Sequence, residues 1–382
     1  MPETTSHRPA SSVDFDLHGY VGIRLLDATP ADVARVVRQI GPLRSTLRRE
    51  PDITVRFTDD IGDTAPMTYA GWRDGGFTDD HFYVLRGKDG VHARAGIPFE
   101  DVGGRCDIVC ERALPAVPLL LAVINFTALA KGLLPLHASG FVHDGQGVVA
   151  TGWAKGGKTE TLLAFAEAGA EYVGDEWVYL TGDRAMVGVP EPIRLWGWHL
   201  RQLPRVWSGL SGSERARVRV LGMLTRAVAG LATVAGDSSV GSALRRAAPT
   251  LERQVYVQVP PERLFDSGRI RARGPVDRVV LVASHDRAEI TSEPVAAEEV
   301  AARMLASLAE ERAVFMAYYR QFRFAFPDRG SAVVEDAERI EHQLLTTALT
   351  GLDLVWVRHP YPLEISAMRQ PVVDALALVA QP

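Results

Sequence analysis

The stretch Gly152-Trp153-Ala154-Lys155-Gly156-Gly157-Lys158-Thr159 constrains this chain more than any other. It follows a short apolar, β-prone run, Val148-Val149-Ala150-Thr151, and precedes Glu160 to Glu167, whose composition is helical. A glycine-rich turn between a buried strand and a helix points backbone N–H groups inward, and the helix adds the positive end of its dipole. Such a turn holds phosphate. In this arrangement Lys158 reaches the β- and γ-phosphates and the Thr159 hydroxyl ligates magnesium. Gly152, Gly156 and Gly157 supply the turn, while Lys155 either adds a second positive charge or points into solvent.

The remainder of the chain suits a large core. Of 382 residues, 47% are hydrophobic and 23% charged, which is globular composition. The net charge of −5 leaves no basic footprint for nucleic acid. Cys106 and Cys110 are too few for a disulfide framework and lack the second pair of a zinc site. Reduced, buried thiols fit a cytoplasmic chain. Residues 1–14 are polar, without an apolar signal-peptide core, and read as a disordered tail. Ala113 to Ala130 is nearly free of charge, but at about 18 residues it only reaches the lower limit for spanning a bilayer. Pro115, Pro118, Asn125 and Thr127 favour a core helix starting near Pro118, and no membrane partner is expected.

Residues 15–112 read as a β-rich lobe. Gly19 to Leu26 suggests a strand, followed by a helix capped at Thr29-Pro30 and ended at Gly41-Pro42. Ile53 to Phe57 and His81 to Leu85 alternate at period two, and Gly87-Lys88-Asp89-Gly90 has hairpin composition. The acidic pairs Asp59-Asp60 and Asp79-Asp80 lie beside turn residues and read as solvated carboxylates. Residues 113–382 hold the glycine-rich loop. Leu134 to Val142 is a strand that turns at His143 to Gly147 and returns into the loop, placing His137 beside the phosphate site.

Tyr172 to Leu180 reads as the next apolar strand, interrupted by Asp175 and Glu176. Two carboxylates in a buried strand are costly unless they meet cations or donors. Magnesium on the β- and γ-phosphates is the natural cation, and only one acid points into the site unless the strand kinks there. Arg194 has the chemistry to clamp a phosphate. A helical insertion at about 208–250 is either a mobile cover or a solvated excursion. Val255 to Val259 and Val279 to Ala283 are strands, and Ala296 to Phe326 is a long helix whose aromatics form a core face. Ser284-His285-Asp286 carries no triad, which needs spatial assembly. A helix from Ala332 to Thr350, a strand over Leu352 to Val357 and a Pro-bearing loop complete the reading.

Three motifs together resemble the HPr kinase/phosphorylase-like kinases of the P-loop phosphoenolpyruvate-carboxykinase-like group. They are Leu136-His137-Ala138-Ser139-Gly140, Gly152 to Glu160, and Gly169 to Glu176, all within about 45 residues. Family members carry a histidine on the preceding strand, a loop ending Gly-Lys-Ser-Glu or similar, and an Asp-Asp pair after a short helix. The resemblance implies an α/β fold with a P-loop mixed-sheet core of this type. It implies ATP and Mg2+ held by Lys158, Thr159, Glu160 and one or both acids, and a carboxylate base beside His137. Arg194 resembles the arginine of the family's later Ile-Arg segment. Glu176 stands where the family has a second Asp, so the base is either Asp175 or Glu176.

The function expected is transfer of the ATP γ-phosphoryl group to a serine-type hydroxyl on a peptide, protein or small metabolite. A non-catalytic nucleotide sensor or scaffold is the alternative; a phosphorolysis or carboxykinase-like reaction ranks behind both. A homo-oligomer stays open.

Overall fold

The computed structural model of the chain describes residues 12–71, 74–86, 93–236, 238–239, 241–243, 246 and 255–379. It is mixed α/β, with two large sheets.

The first sheet contains β1 (Val13–Leu17), β2 (Val21–Leu26), β3 (Ile53–Thr58), β4 (Thr68–Ala70), β5 (Gly75–Phe77), β6 (Phe82–Arg86), β7 (Ala93–Gly96) and β8 (Cys106–Glu111). Their order is β1-β2-β3-β8-β7-β6-β5-β4. α1 (Pro30–Ile40) crosses between the parallel strands β2 and β3. Its start is the expected one: Thr29 and Asp32 form a capping box, with Pro30 in the first turn. β1 begins at Val13, inside the stretch expected to be a tail, because Asp14 pairs with Arg24 across the hairpin and Phe15 is fully buried. Residues 1–11 and the Gly87–Gly90 turn lie outside the described residues.

α2 (Leu120–Ala130) is the apolar segment, buried beneath this sheet. Among the described residues no helix is long and apolar enough to cross a membrane. The expected aromatic face holds for Phe315, Tyr318, Tyr319 and Phe322, which are buried in the same core, with Phe326 packed at its edge; Phe324 does not belong to it, since it points away from the core and is 75% exposed. Cys106 and Cys110 are free and buried there too.

The second sheet carries the glycine-rich loop. Its strands are β9 (Leu134–His143), β10 (Gln146–Thr151), β11 (Glu171–Gly174), β12 (Trp177–Leu180), β13 (Ala185–Gly188), β16 (Arg273–Pro275), β17 (Arg278–His285), β18 (Thr291–Pro294) and β19 (Asp353–Pro360). β14 (Ile193–Trp196) and β15 (Tyr256–Val259) pair separately. β9 and β10 form the expected hairpin, turning at Asp144-Gly145. β10, β17 and β19 run parallel. Alternate residues face opposite ways. Val148, Ala150, Val280 and Val282 join one core, and Val149, Val279 and Leu281 the other. Helices therefore cover both faces, as buried parallel strands require.

α3 (Lys158–Glu167) lies on one face. The short helices α4 (Gly197–Gln202) and α5 (Pro204–Gly209) lead into α6 (Gly212–Val234), which forms the first part of the expected helical insertion. α7 (Ala297–Ala325) covers the opposite face with Val300, Met304 and Leu308, then continues beneath the first sheet.

Two expectations are corrected near the end of the chain. The helix over 332–350 is broken into α8 (Ala332–Glu335) and α9 (Ala337–Leu349). A further helix, α10 (Ile365–Val379), follows β19. Ile365, Met368, Val372, Ala375 and Leu376 bury its inner face at helical spacing, and that packing holds the helix together despite the internal Pro371.

Candidate functional site

The loop sits at the carboxyl end of β10, where open parallel sheets place ligands. Glycine is required there on steric grounds. Gly152 has φ 148° and Gly157 φ 109°, backbone conformations that side chains rarely adopt. A Cβ on Gly152 would stand 2.3 Å from the Val282 carbonyl oxygen, and one on Gly157 would stand 2.1 Å from Nε2 of His359. That Nε2 in turn lies 2.8 Å from the Gly156 carbonyl oxygen. Two parallel strands thus brace the turn from behind.

α3 begins at Lys158 with no side chain capping its amino end. An amino end without a cap offers a seat for an anion. Lys158 is buried, and Nζ folds back to donate to the carbonyl oxygens of Gly152 (3.2 Å) and Trp153 (2.9 Å). Burial pulls its pKa below the usual lysine value. Lys155 is exposed, with φ 63°.

The expected single strand over 172–180 is in fact two. It breaks at Asp175-Glu176 because Glu176 adopts the left-handed region, φ 67°. This kink lets both carboxylates serve one site. Asp175 is buried and accepts hydrogen bonds from the Ser139 hydroxyl and from Thr159 Oγ1, 3.1 Å from Oδ2. Burial, reinforced by the nearby Glu176, pushes its pKa up to about 6. Glu176 Oε2 lies 3.0 Å from His137 Nε2, and this hydrogen bond holds Glu176 below the usual carboxylate range. The other ring nitrogen of His137, Nδ1, meets Glu311 of α7. Burial opposes charge on this imidazole, but the two acids outweigh it and raise the pKa.

The remaining expected residues lie farther out. Glu160 is engaged by His199 of α4: the Trp196 N–H donates to Nδ1 (3.1 Å), so Nε2 carries the proton and donates to Glu160 (2.9 Å). The pair ties α3 to α4. Arg194, on β14, is exposed, stacks over the Tyr256 ring at 5.0 Å, and makes no ion pair with a described residue.

Two residues escaped sequence reasoning. Glu311 sits 174 positions from His137, and nothing local marks it. Glu191 has a buried Oε1 without a hydrogen-bond partner; burial and the charges of Glu176 and Asp175 raise its pKa well above the usual range. Its setting between Pro190 and Pro192 was the available signal.

The donor set fits magnesium. Thr159 and Asp175 present adjacent hard oxygens, and such an ion takes one or two carboxylates together with phosphates and water. Among the described residues no group of three or more His, Cys, Asp and Glu is arranged to hold a metal ion. No protein-family model matches the chain, and no curated protein matches it.

Proposed function

We propose that the chain is an ATP-dependent kinase of the HPr kinase/phosphorylase-like type, with a P-loop core that transfers the γ-phosphoryl group to a serine-type hydroxyl. The observation that carries this reading is convergence. Lys158 with the open end of α3, the Thr159–Asp175 pair and the Glu176–His137 pair meet at one strand edge. Phosphoryl transfer asks for little more than positioning and electrostatic stabilisation.

Lys158 would leave its carbonyl partners for the β- and γ-phosphates, which restore the charge environment that burial denies it. Thr159 and Asp175 would hold Mg2+, which supplies charge neutralisation to the phosphates when bound. The two acids then divide the work. Asp175 is buried against Thr159, on the phosphate side. Glu176 is more open, with 37% of its side chain exposed, and its lowered pKa keeps it ionised near neutrality. It is the base. The acceptor oxygen forms a bond to the γ-phosphorus, the bond to the bridging oxygen breaks, ADP departs, and the hydroxyl proton passes to Glu176. His137, itself held by Glu311, fixes the orientation of that carboxylate.

The test is a fluorescence titration with a labelled ATP and Mg2+, paired with a phosphate-transfer assay. Lys158→Ala should weaken binding or transfer by about 100-fold or more, the scale of removing one aimed donor from a charged site. Wild-type binding and transfer in that variant would overturn the proposal. Tight nucleotide binding without turnover on any hydroxyl acceptor would instead favour the sensor reading.

A further inference from the structure

Beside His137 lies a second feature that nucleotide chemistry does not use. A cavity of about 230 Å³ opens between α2, α7 and β12. Its walls are Leu121, Ala122 and Phe126 of α2, Pro135 of β9, Trp177 of β12 and Leu308 of α7. Its polar edge holds Glu311 together with Arg312 and Glu341, which form an ion pair with each other. Every charge there is already partnered, because Glu311 is taken by His137. The space suits a neutral, apolar group.

Two residues belong both to this cavity and to the candidate site. Glu311 lines the cavity and bonds His137; Trp177 lines it and stacks on the His137 ring, centroids 6.0 Å apart and planes at 28°. The strand sets the spacing. Pro135, His137 and Ser139 alternate along β9 and so share a face. They meet the cavity, Glu176 and Asp175 in that order. At a rise of about 3.3 Å per residue, the backbone of Pro135 in the cavity wall lies about 7 Å along β9 from that of His137, while Glu311 and Trp177 bring the wall into contact with the imidazole.

We propose that this cavity is the acceptor subsite: it receives a phenyl-sized or branched aliphatic group of the molecule that presents the accepting hydroxyl beside Glu176 and His137. The class of acceptor is then a serine-type hydroxyl next to a large apolar group. Size agrees, since about 150 Å³ already holds a benzene ring. The inference rests on the kinase reading for its hydroxyl, but not for its apolar pocket.

Two measurements separate these claims. The first is binding of phenylpropanol, a primary alcohol with a terminal phenyl group, followed by saturation-transfer NMR on protein loaded with Mg2+ and a non-hydrolysable ATP analogue. Ala122→Phe and Leu121→Trp fill the cavity from α2, and either should weaken binding about tenfold or more, the scale of a blocked apolar pocket. Labelled-ATP affinity should not change, and a thermal melt checks folding of each variant. The second is transfer to N-acetyl-seryl-phenylalanine amide against N-acetyl-seryl-glycine amide. The wild type should prefer the phenylalanine acceptor about tenfold or more in kcat/KM, and the filled variants should lose that preference.

Failure of phenylpropanol to bind, or equal binding by wild type and a folded filled variant, overturns the subsite. Transfer without preference does the same. Binding that the filled variants lose, with no transfer to either acceptor, upholds the pocket and sinks the kinase reading alone.

Discussion

Asp175 offers a test that needs no acceptor. Its carboxyl is buried and pushed up to about 6 from an ordinary 3.8. The unfolded chain releases this proton first, so between those two values the folded state binds more protons and stability falls as pH rises. The loss is complete above about 6. At about 1.4 kcal/mol per pH unit, the gap corresponds to about 3 kcal/mol. Asp175→Asn removes the charge while keeping the shape. The Ser139 and Thr159 hydroxyls, which donate to the carboxylate, can rotate to accept from the new amide. Without nucleotide, the variant should be more stable than the wild type by up to about 3 kcal/mol at pH 8, and by less than about 1 kcal/mol at pH 4. Urea denaturation across that range reads the difference. Adding Mg2+ and ATP should then stabilise the wild type more than the variant, because the cation relieves the buried charge only where the charge exists. A variant less stable at pH 8, or a difference independent of pH, refutes the reasoning.

Other outcomes follow from the same geometry. Gly157→Ala places a Cβ 2.1 Å from His359 Nε2 at φ 109°, and should cost about 1–3 kcal/mol in a thermal melt as well as lowering nucleotide affinity. Glu311→Gln removes one of the two acids that raise the His137 pKa, so the imidazole should titrate at lower pH by NMR, with the rate profile shifted in the same direction. His199→Ala strips buried partners from Glu160 and the Trp196 N–H; a loss of about 1–3 kcal/mol in urea is expected, with little change in the His137 titration.

What the sequence disclosed was local. The strand–turn–helix around Gly152, the Thr29 cap and the β9–β10 hairpin are each written in a few adjacent residues, so pattern and turn chemistry suffice to find them. The break at Asp175-Glu176 was harder, because the apolar residues on either side read as one strand and only the left-handed Glu176 separates them. Glu311 and the cavity beside it were not legible. They exist because α7 leaves one sheet and passes beneath the other, a tertiary event with no local mark. α10 was hidden by Pro371, a residue that argues against a helix until the burial of Met368 and Val372 is seen.

The His359 brace also orders events in time. The loop is made at residues 152–157, yet its Gly156 carbonyl meets a side chain 203 positions later. At about 5–20 residues per second of synthesis, that separation is about 10–40 s during which the loop exists without its support. β17, whose Val282 backs Gly152, arrives in between, and β19 comes last of the three parallel strands. A nascent chain arrested before residue 353 would carry every residue of the glycine-rich motif and still lack the His359 brace. The bracing of the turn would therefore be completed late in synthesis, when the final parallel strand docks.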